Sequence, residues 1–426
     1  TVPERRLEPV ERVLKTDGTT TMLFHSSLYY PTELSLRFDG YLIGIEKSPR
    51  EVISSPSEVN VMPIPAAELT EEAAKKKIVD SKLLYVSHII ENKSERGGID
   101  NCTIYNAYNQ ASIKQLTPPC SKASSAPIPV KSAFKNSWRA LDQLESAMRR
   151  RIANGKYTDI VVITMGWNTV QEEAVRNFNS IVTNLLKASA GPNFNPLVLG
   201  VTWPSQWEND WFNPIYKFFS FPVKSADADE LGLTWLGVLL HKTIPGIQSN
   251  LPVTVIGHSF GSRASSVAAC IGPAIYENSG EAELAKIDNL VNLQGAFLSS
   301  RLFGKKDKKD RGMYYPNGCK NVTNIVLTSS VHDTAMNSAI GGIYDGDERS
   351  YKSHCTQNVS INCVHADAQG NICYITKQPT SNITYVNANE LIRENAYLSG
   401  GGAHSDIYRK EHGVLINKLI PGLGAK

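Results

Sequence analysis

The chain contains no long apolar run. Its best candidate, "LTWLGVLL" at 233–240, is far short of the roughly 18 residues that a membrane-crossing helix needs. That excludes a helical membrane anchor of this kind and points to a soluble protein. A charge of one sign is also missing: 44 Lys plus Arg stand against 41 Asp plus Glu, a formal charge of +3, with both signs spread along the chain. Nucleic-acid binders generally show a basic face, and nothing here supplies one. The one dense basic stretch, "GKKDKKDR" at 304–311, reads as a solvated loop. No CxxC or HxxxH pair is present to anchor a zinc site. Nor does a basic-then-apolar leader open the chain, which starts "TVPERRLEPV", so any signal peptide is expected to have been removed before this numbering begins.

Cysteine is scarce but patterned. Cys102, Cys120, Cys319, Cys355, Cys363 and Cys373 lie in stretches rich in Asn, Pro, Ser and Gly, whereas Cys270 lies in the apolar run "SSVAACIGPA". Six loop cysteines and one core cysteine lead us to expect three disulfides and a buried free thiol at Cys270, hence an oxidising compartment and a secreted or periplasmic protein. Sequence cannot choose among the pairings, although Cys102 with Cys120 and Cys363 with Cys373 would close short local loops. Five Asn-x-Ser/Thr sequons, at Asn92, Asn101, Asn321, Asn358 and Asn382, matter only for a eukaryotic secretory route.

With 426 residues the chain can form one large α/β domain or two smaller ones. Residues 1–130 hold short β-like runs, such as "TTTMLFHSSLYY" and "LSLRFDGYLIGI", and end in the Pro- and Ser-rich "LTPPCSKASSAPIPVK", a linker or extended strap. This N-terminal β-rich segment has no role that its residues declare. Over 131–426 the pattern changes. "AFKNSWRALDQLESAMRRRIANG" has helical spacing, and helices then alternate with the continuous Val/Ile/Leu strands "DIVVIT", "PLVLGVTW", "LPVTVIGH", "LVNLQGAF", "VTNIVLTSSV" and "NITYVNA" before a closing helix "RKEHGVLINKLI". Such alternation predicts an α/β fold: a mostly parallel, doubly wound sheet covered on both faces, with the additional N-terminal β-rich segment beside it. Insertions are expected at about 205–225, rich in aromatics, and at about 340–380, containing cysteines.

Functional groups in such sheets gather where strands end at the carboxyl edge. One strand end reads "VTVIGHSFGSRASS". A GxSxG match is weak by itself, but this one falls where a buried strand must turn sharply into a helix, and Gly257 and Gly261 remove side chains that would clash in that turn. Ser259 is then a candidate nucleophile; its bland alternative is a helix N-cap. A serine hydroxyl needs a base, and the base needs a carboxylate to orient it. Asp333, just after "NIVLTSSV", and His404, in the glycine-rich "LSGGGAHSDIY" before the last helix, supply both. Asp345 and Asp347 compete with Asp333. Of the other histidines, His258 and His332 adjoin the serine and the aspartate in sequence and would point away, and His412 lies within the closing helix. The developing oxyanion calls for two donors: the backbone N–H of Phe260 and, after Gly166 in "ITMGWNTVQEEA", that of Trp167.

The segments "VVITMGWNT", "VLGVTWPS", "VIGHSFGSR" and "LTSSVHDTA", taken in order, resemble the α/β-hydrolase superfamily, especially its bacterial branch with an HGxN loop and a WPS strand end. The resemblance covers roughly residues 133–426. It implies Ser259 as nucleophile, Asp333 as acid, His404 as base, and Trp167 and Phe260 as backbone donors, with no metal or organic cofactor. Met165 stands where that branch usually has His.

After "TWPS", Trp207, Trp211, Phe212 and Phe218 crowd into a short aromatic stretch. They form either an apolar substrate wall or plain packing of an irregular segment. The expectation is a serine esterase or lipase-like enzyme acting on a small-molecule or lipid ester with apolar groups. An acyltransferase or peptidase with the same triad, and a non-catalytic binding protein on the same scaffold, are the alternatives.

Overall fold

A computed structural model of the protein describes residues 35–47, 60–61, 78, 84–95, 98–107, 117–120, 133–166, 171–189, 193–203, 225–277, 283–304, 315, 318–337, 342–357, 360–394, 402–420 and 422–423. The expected strand at "TTTMLFHSSLYY" and the aromatic insertion lie outside these residues.

Strands β1 (Gly40–Lys47), β2 (Leu84–Glu95), β3 (Gly98–Asn106), β4 (Asp159–Thr164), β5 (Pro196–Thr202), β6 (Val253–His258), β7 (Ile287–Leu293), β8 (Val322–Ser329), β9 (Asn362–Ala366), β10 (Ile372–Thr376) and β11 (Ile383–Asn387) form one sheet. Their spatial order is β10-β9-β11-β8-β7-β6-β4-β5-β1-β2-β3. From β9 across to β1 every neighbouring pair runs parallel. Antiparallel pairs close the two ends, β1–β2 and β2–β3 at one side and β9–β10 at the other. The result is a mixed α/β fold around a large, mostly parallel sheet.

The sequence composition explains why this sheet is covered on both sides. In β4, β5 and β6 every residue is buried, and because side chains alternate faces along a strand, both faces must be packed. Two helices show how. Helix α1 (Ala133–Asn154) leads in, and helix α2 (Gln171–Ala188) brings Phe178 against Gly200 of β5, where a Cβ would lie 2.7 Å from the ring. Gly200 is in register with Ile163, and Ile163 with Ile256, so the next residue, Gly257, faces the opposite side. There helix α3 (Phe260–Ile271) packs so closely that a Cβ on Gly257 would sit 2.5 Å from the Cα of Ser262.

Three disulfides join Cys102 to Cys120, Cys270 to Cys319 and Cys355 to Cys363. Cys373 is free and exposed. The expectation of a free Cys270 is therefore corrected, and so is the local Cys363–Cys373 loop. Cys270 lies in the last turn of α3, which runs back from the carboxyl edge to the edge where β8 begins, and Cys319 sits in the turn just before that strand. The Asn321 side-chain amide fastens the same junction by donating to the Ala269 carbonyl at 2.7 Å. Cys363 and Cys373 occupy neighbouring strands but not opposite positions: Cys363 faces Thr376, and Cys373 faces His365. Cys363 is fully buried and meets Cys355 instead, in the helix Glu348–Gln357.

The segment at 340–380 thus holds a helix and the β9–β10 hairpin, which extends the sheet beyond β11. Neither hairpin strand was foreseen from the sequence, nor were β2 and β3 among the runs singled out; these four lie outside the run of strands from β11 to β1, with β3 and β10 at its two ends.

Candidate active site

The parallel strands place the loops after β4, β6, β7 and β8 along one edge. Thr164 is in register with Gly257, His258 with Leu293, and Asn292 with Leu327, so the residues that follow these strands are neighbours. Ser259 is the single residue between β6 and α3. It takes φ 57°, ψ −123°, a conformation that L-residues with a side chain rarely adopt and that persists only when the surroundings enforce it. The enforcing contacts are visible. Its N–H donates to the Leu293 carbonyl at 3.0 Å, and its own carbonyl accepts from Ala296 at 3.0 Å and Arg263 at 3.3 Å. A Cβ on Gly261 would lie 2.2 Å from the Thr164 carbonyl oxygen, and one on Gly166 would lie 2.4 Å from the Ser259 Cβ and 3.0 Å from its Oγ. Only glycines allow the β4 loop to close against this turn.

The N-cap alternative for Ser259 finds no support in the contacts, because its side chain makes no cap hydrogen bond to α3. The hydroxyl borders Gly166 instead.

After β8 the chain turns at Ser330–His332 and delivers Asp333, which is fully buried. Its Oδ1 accepts the Met336 N–H at 3.0 Å, and its Oδ2 accepts both His404 Nδ1 at 2.8 Å and Gln294 Nε2 at 2.7 Å. His404 lies in the short 3₁₀ turn Gly402–Ser405 that precedes the closing helix Lys410–Leu419. That turn is pinned at two points. The Ala403 N–H donates to the His332 carbonyl at 3.0 Å, and the carbonyl of His404 accepts from His258 Nε2 at 2.9 Å. A carbonyl can only accept, so His258 carries its proton on Nε2. Burial holds the His258 ring neutral by lowering its pKa to about 3, and nearby His404 adds to the effect.

The competing carboxylates are elsewhere. Asp347 caps the Glu348–Gln357 helix and pairs with Arg349. Asp345 is fully buried, and burial pushes its carboxyl well above the usual carboxylate range. Neither touches His404 among the described residues. No hydrogen bond joins Ser259 Oγ to His404 among those residues either; such contacts are often long in unliganded sites and tighten with substrate.

Phe260 is buried as the first residue of α3. Trp167 and the candidate wall residues Trp207, Trp211, Phe212 and Phe218 lie outside the described residues. Met165, in place of the branch's His, gives its carbonyl to the Trp203 indole N–H at 2.8 Å and its sulfur to the Tyr408 hydroxyl at 3.7 Å. Among the described residues the one group with metal-ligand geometry is Glu91, Cys102 and Cys120, and its two sulfurs are joined in a disulfide, which removes the thiolates that a metal would need.

Two residues at this edge escaped the sequence reading. His258 was expected to point away from the serine hydroxyl and so play no part, but its ring fastens the loop that carries His404. Gln294 carried no signal, since a glutamine at a strand end resembles any other polar loop residue.

No protein-family model matches the sequence, and no curated protein matches it. A solved structure of a truncated form of a carbohydrate esterase from gut microbiota is similar at 11% identity with a TM-score of 0.33, covering 89% of this chain and 100% of that chain. Likeness of that degree carries no inference about chemistry, which belongs to sites rather than to folds.

Proposed function

We propose that the protein is a serine hydrolase of the α/β-hydrolase type that cleaves carboxylic esters through an acyl-enzyme. The observation that carries the reading is the Asp333–His404 hydrogen bond of 2.8 Å, held in a loop that His258 ties to the strained turn bearing Ser259. Asp333 accepts from Nδ1, so neutral His404 presents an unprotonated Nε2, the atom a general base needs. Ser259 Oγ attacks the ester carbonyl while Nε2 takes its proton. The N–H groups of Phe260 and Trp167 stabilise the tetrahedral oxyanion. Collapse breaks the bond to the leaving alkoxide, which departs as alcohol with the proton from His404; water repeats the sequence and frees the acid and Ser259.

On this reading residues 131–426 carry all of the machinery, and the strands contributed by residues 1–130 extend its sheet. The three disulfides fit a secreted or periplasmic enzyme.

A fluorophosphonate probe should label the wild type at Ser259, and Ser259→Ala should remove both labelling and p-nitrophenyl acetate hydrolysis, with turnover lower by on the order of 10⁴ or more. Wild-type protein that is folded but neither labels nor hydrolyses would defeat the reading and leave a binding protein on this scaffold.

A further inference from the structure

We infer that Gln294 is a positioning residue that sets the acidity of His404 through Asp333; the inference rests on the triad reading above. Gln294 follows β7, is fully buried, and adopts φ 48°, an uncommon conformation for a long side chain that must be enforced by its contacts. Those contacts leave its amide one orientation. The backbone N–H of Gln294 donates to the Thr328 hydroxyl at 3.0 Å, and that hydroxyl donates to Gln294 Oε1 at 3.1 Å, the nearer of its two acceptors, the other being the Asn292 carbonyl at 3.4 Å. The acceptor end of the amide is therefore fixed on Thr328. The donor end faces Asp333 Oδ2 at 2.7 Å, with the Gly346 carbonyl at 3.4 Å as a second acceptor.

Asp333 Oδ2 thus receives two donors, the Gln294 amide and the His404 ring. The amide draws part of the carboxylate's charge to itself and lowers the attraction that Asp333 exerts on a protonated His404. Removing it leaves that charge concentrated on His404, favours the imidazolium, and raises the pKa of the base. The residue also fixes the carboxylate plane, so the Nδ1 bond keeps its direction when the base must stay neutral.

Gln294→Asn keeps an amide, tolerates positive φ, and is one methylene too short to reach Asp333. Thr328→Val keeps the shape of β8 and removes the hydroxyl that orients the amide, which also takes away the acceptor of the Gln294 backbone N–H. Two readouts apply: the pH profile of kcat/KM for p-nitrophenyl acetate, and NMR titration of the His404 ring, which needs no turnover. Gln294→Asn should lower kcat/KM about tenfold, the effect of losing one hydrogen bond to a charged group. Its acid limb and the His404 pKa should both rise by about half a unit or more, with Thr328→Val shifting both the same way by less. If the Gln294→Asn chain does not fold, Thr328→Val decides by the same readouts. A folded variant with an unmoved His404 pKa overturns the inference. A His404 pKa shifted by Gln294→Asn, together with a wild type that neither hydrolyses nor labels, upholds the Gln294 coupling and overturns the hydrolase reading alone.

Discussion

Asp333, Asp345 and Asp347 lie within fifteen positions of one another, yet their surroundings give them three different chemistries. Asp333 accepts from a backbone amide, a side-chain amide and an imidazole. Asp347 is spent on a helix start and an arginine, and burial pushes the Asp345 carboxyl well above the usual carboxylate range. Asp333→Asn should therefore lower turnover by on the order of 10³ to 10⁴, because the imidazole loses both its tautomer preference and the charge that stabilises its protonated form. Asp345→Asn replaces a carboxyl that burial already biases toward its neutral form and should leave turnover close to wild type, and Asp347→Asn should do the same with a small loss of stability. Parallel esterase assays of the three variants check this; an inactive Asp345→Asn with a normal Asp333→Asn would move the acid. At this scale Ser259, Asp333 and His404 could be singled out from the sequence because each sits in a local pattern of strand end and glycine-rich turn. His258 and Gln294 were not, because their partners lie 146 and 39 positions away along the chain.

Strand β6, its one-residue turn and helix α3 work as one element. Gly261 is the position where α3 touches the end of β4, and an added methyl would press on the Thr164 and Met165 carbonyls at 2.2 and 2.7 Å. Backbone cannot yield there as a flexible side chain would. Gly261→Ala should cost about 1–3 kcal/mol of stability by overpacking and should displace Ser259 enough to reduce fluorophosphonate labelling, measured by chemical denaturation and labelling rate. The far end of α3 is bonded to the start of β8 through Cys270–Cys319. Alkylation of the native protein followed by non-reducing peptide mapping should find label at Cys373 alone. Label at Cys270 instead would return that cysteine to the buried free thiol suggested by its apolar sequence context. That context misled because buried disulfides and buried thiols share the same neighbours, and only the direction in which α3 returns across the sheet brings Cys319 to it.

Across the whole molecule the buried histidines set the response to acid. Burial lowers His88 and His258 to about 3, and His241 and His412 to about 4. The sign follows from comparing states. Above the unfolded value of about 6.5 these rings are neutral whether folded or not, so their stability contribution is intact. As pH falls below it, the unfolded chain takes up protons that the folded chain refuses, and stability is lost progressively until the folded values near 3–4 are reached. Asp345 acts in the opposite sense, since burial raises its folded carboxyl above the unfolded value and so favours its protonated form. Unfolding near pH 5 should then take up protons at the four histidines, which favours the unfolded chain there. Urea titrations at pH 7, 6 and 5 should show stability falling steeply with acid; a flat profile would mean that these rings are not held neutral in the folded chain.

The sequence by itself determined the alternation of buried strands and amphipathic helices, the parallel sheet that alternation requires, and the sharp turn at Ser259, because each is written in residues adjacent along the chain. It also determined that Asp333 and His404 follow the serine in order. Tertiary structure alone decided the rest. Among the described residues, eleven strands were ordered into one sheet that takes β1–β3 from the N-terminal segment on one side and the β9–β10 hairpin on the other. Strand register set Cys363 away from Cys373, and the convergence of strand ends brought Gln294 to Asp333 and His258 to the His404 loop. The physical reason is the same in each case: hydrogen bonds and disulfides are short-range contacts, and which distant residues come within that range depends on strand order and register, which local pattern does not encode.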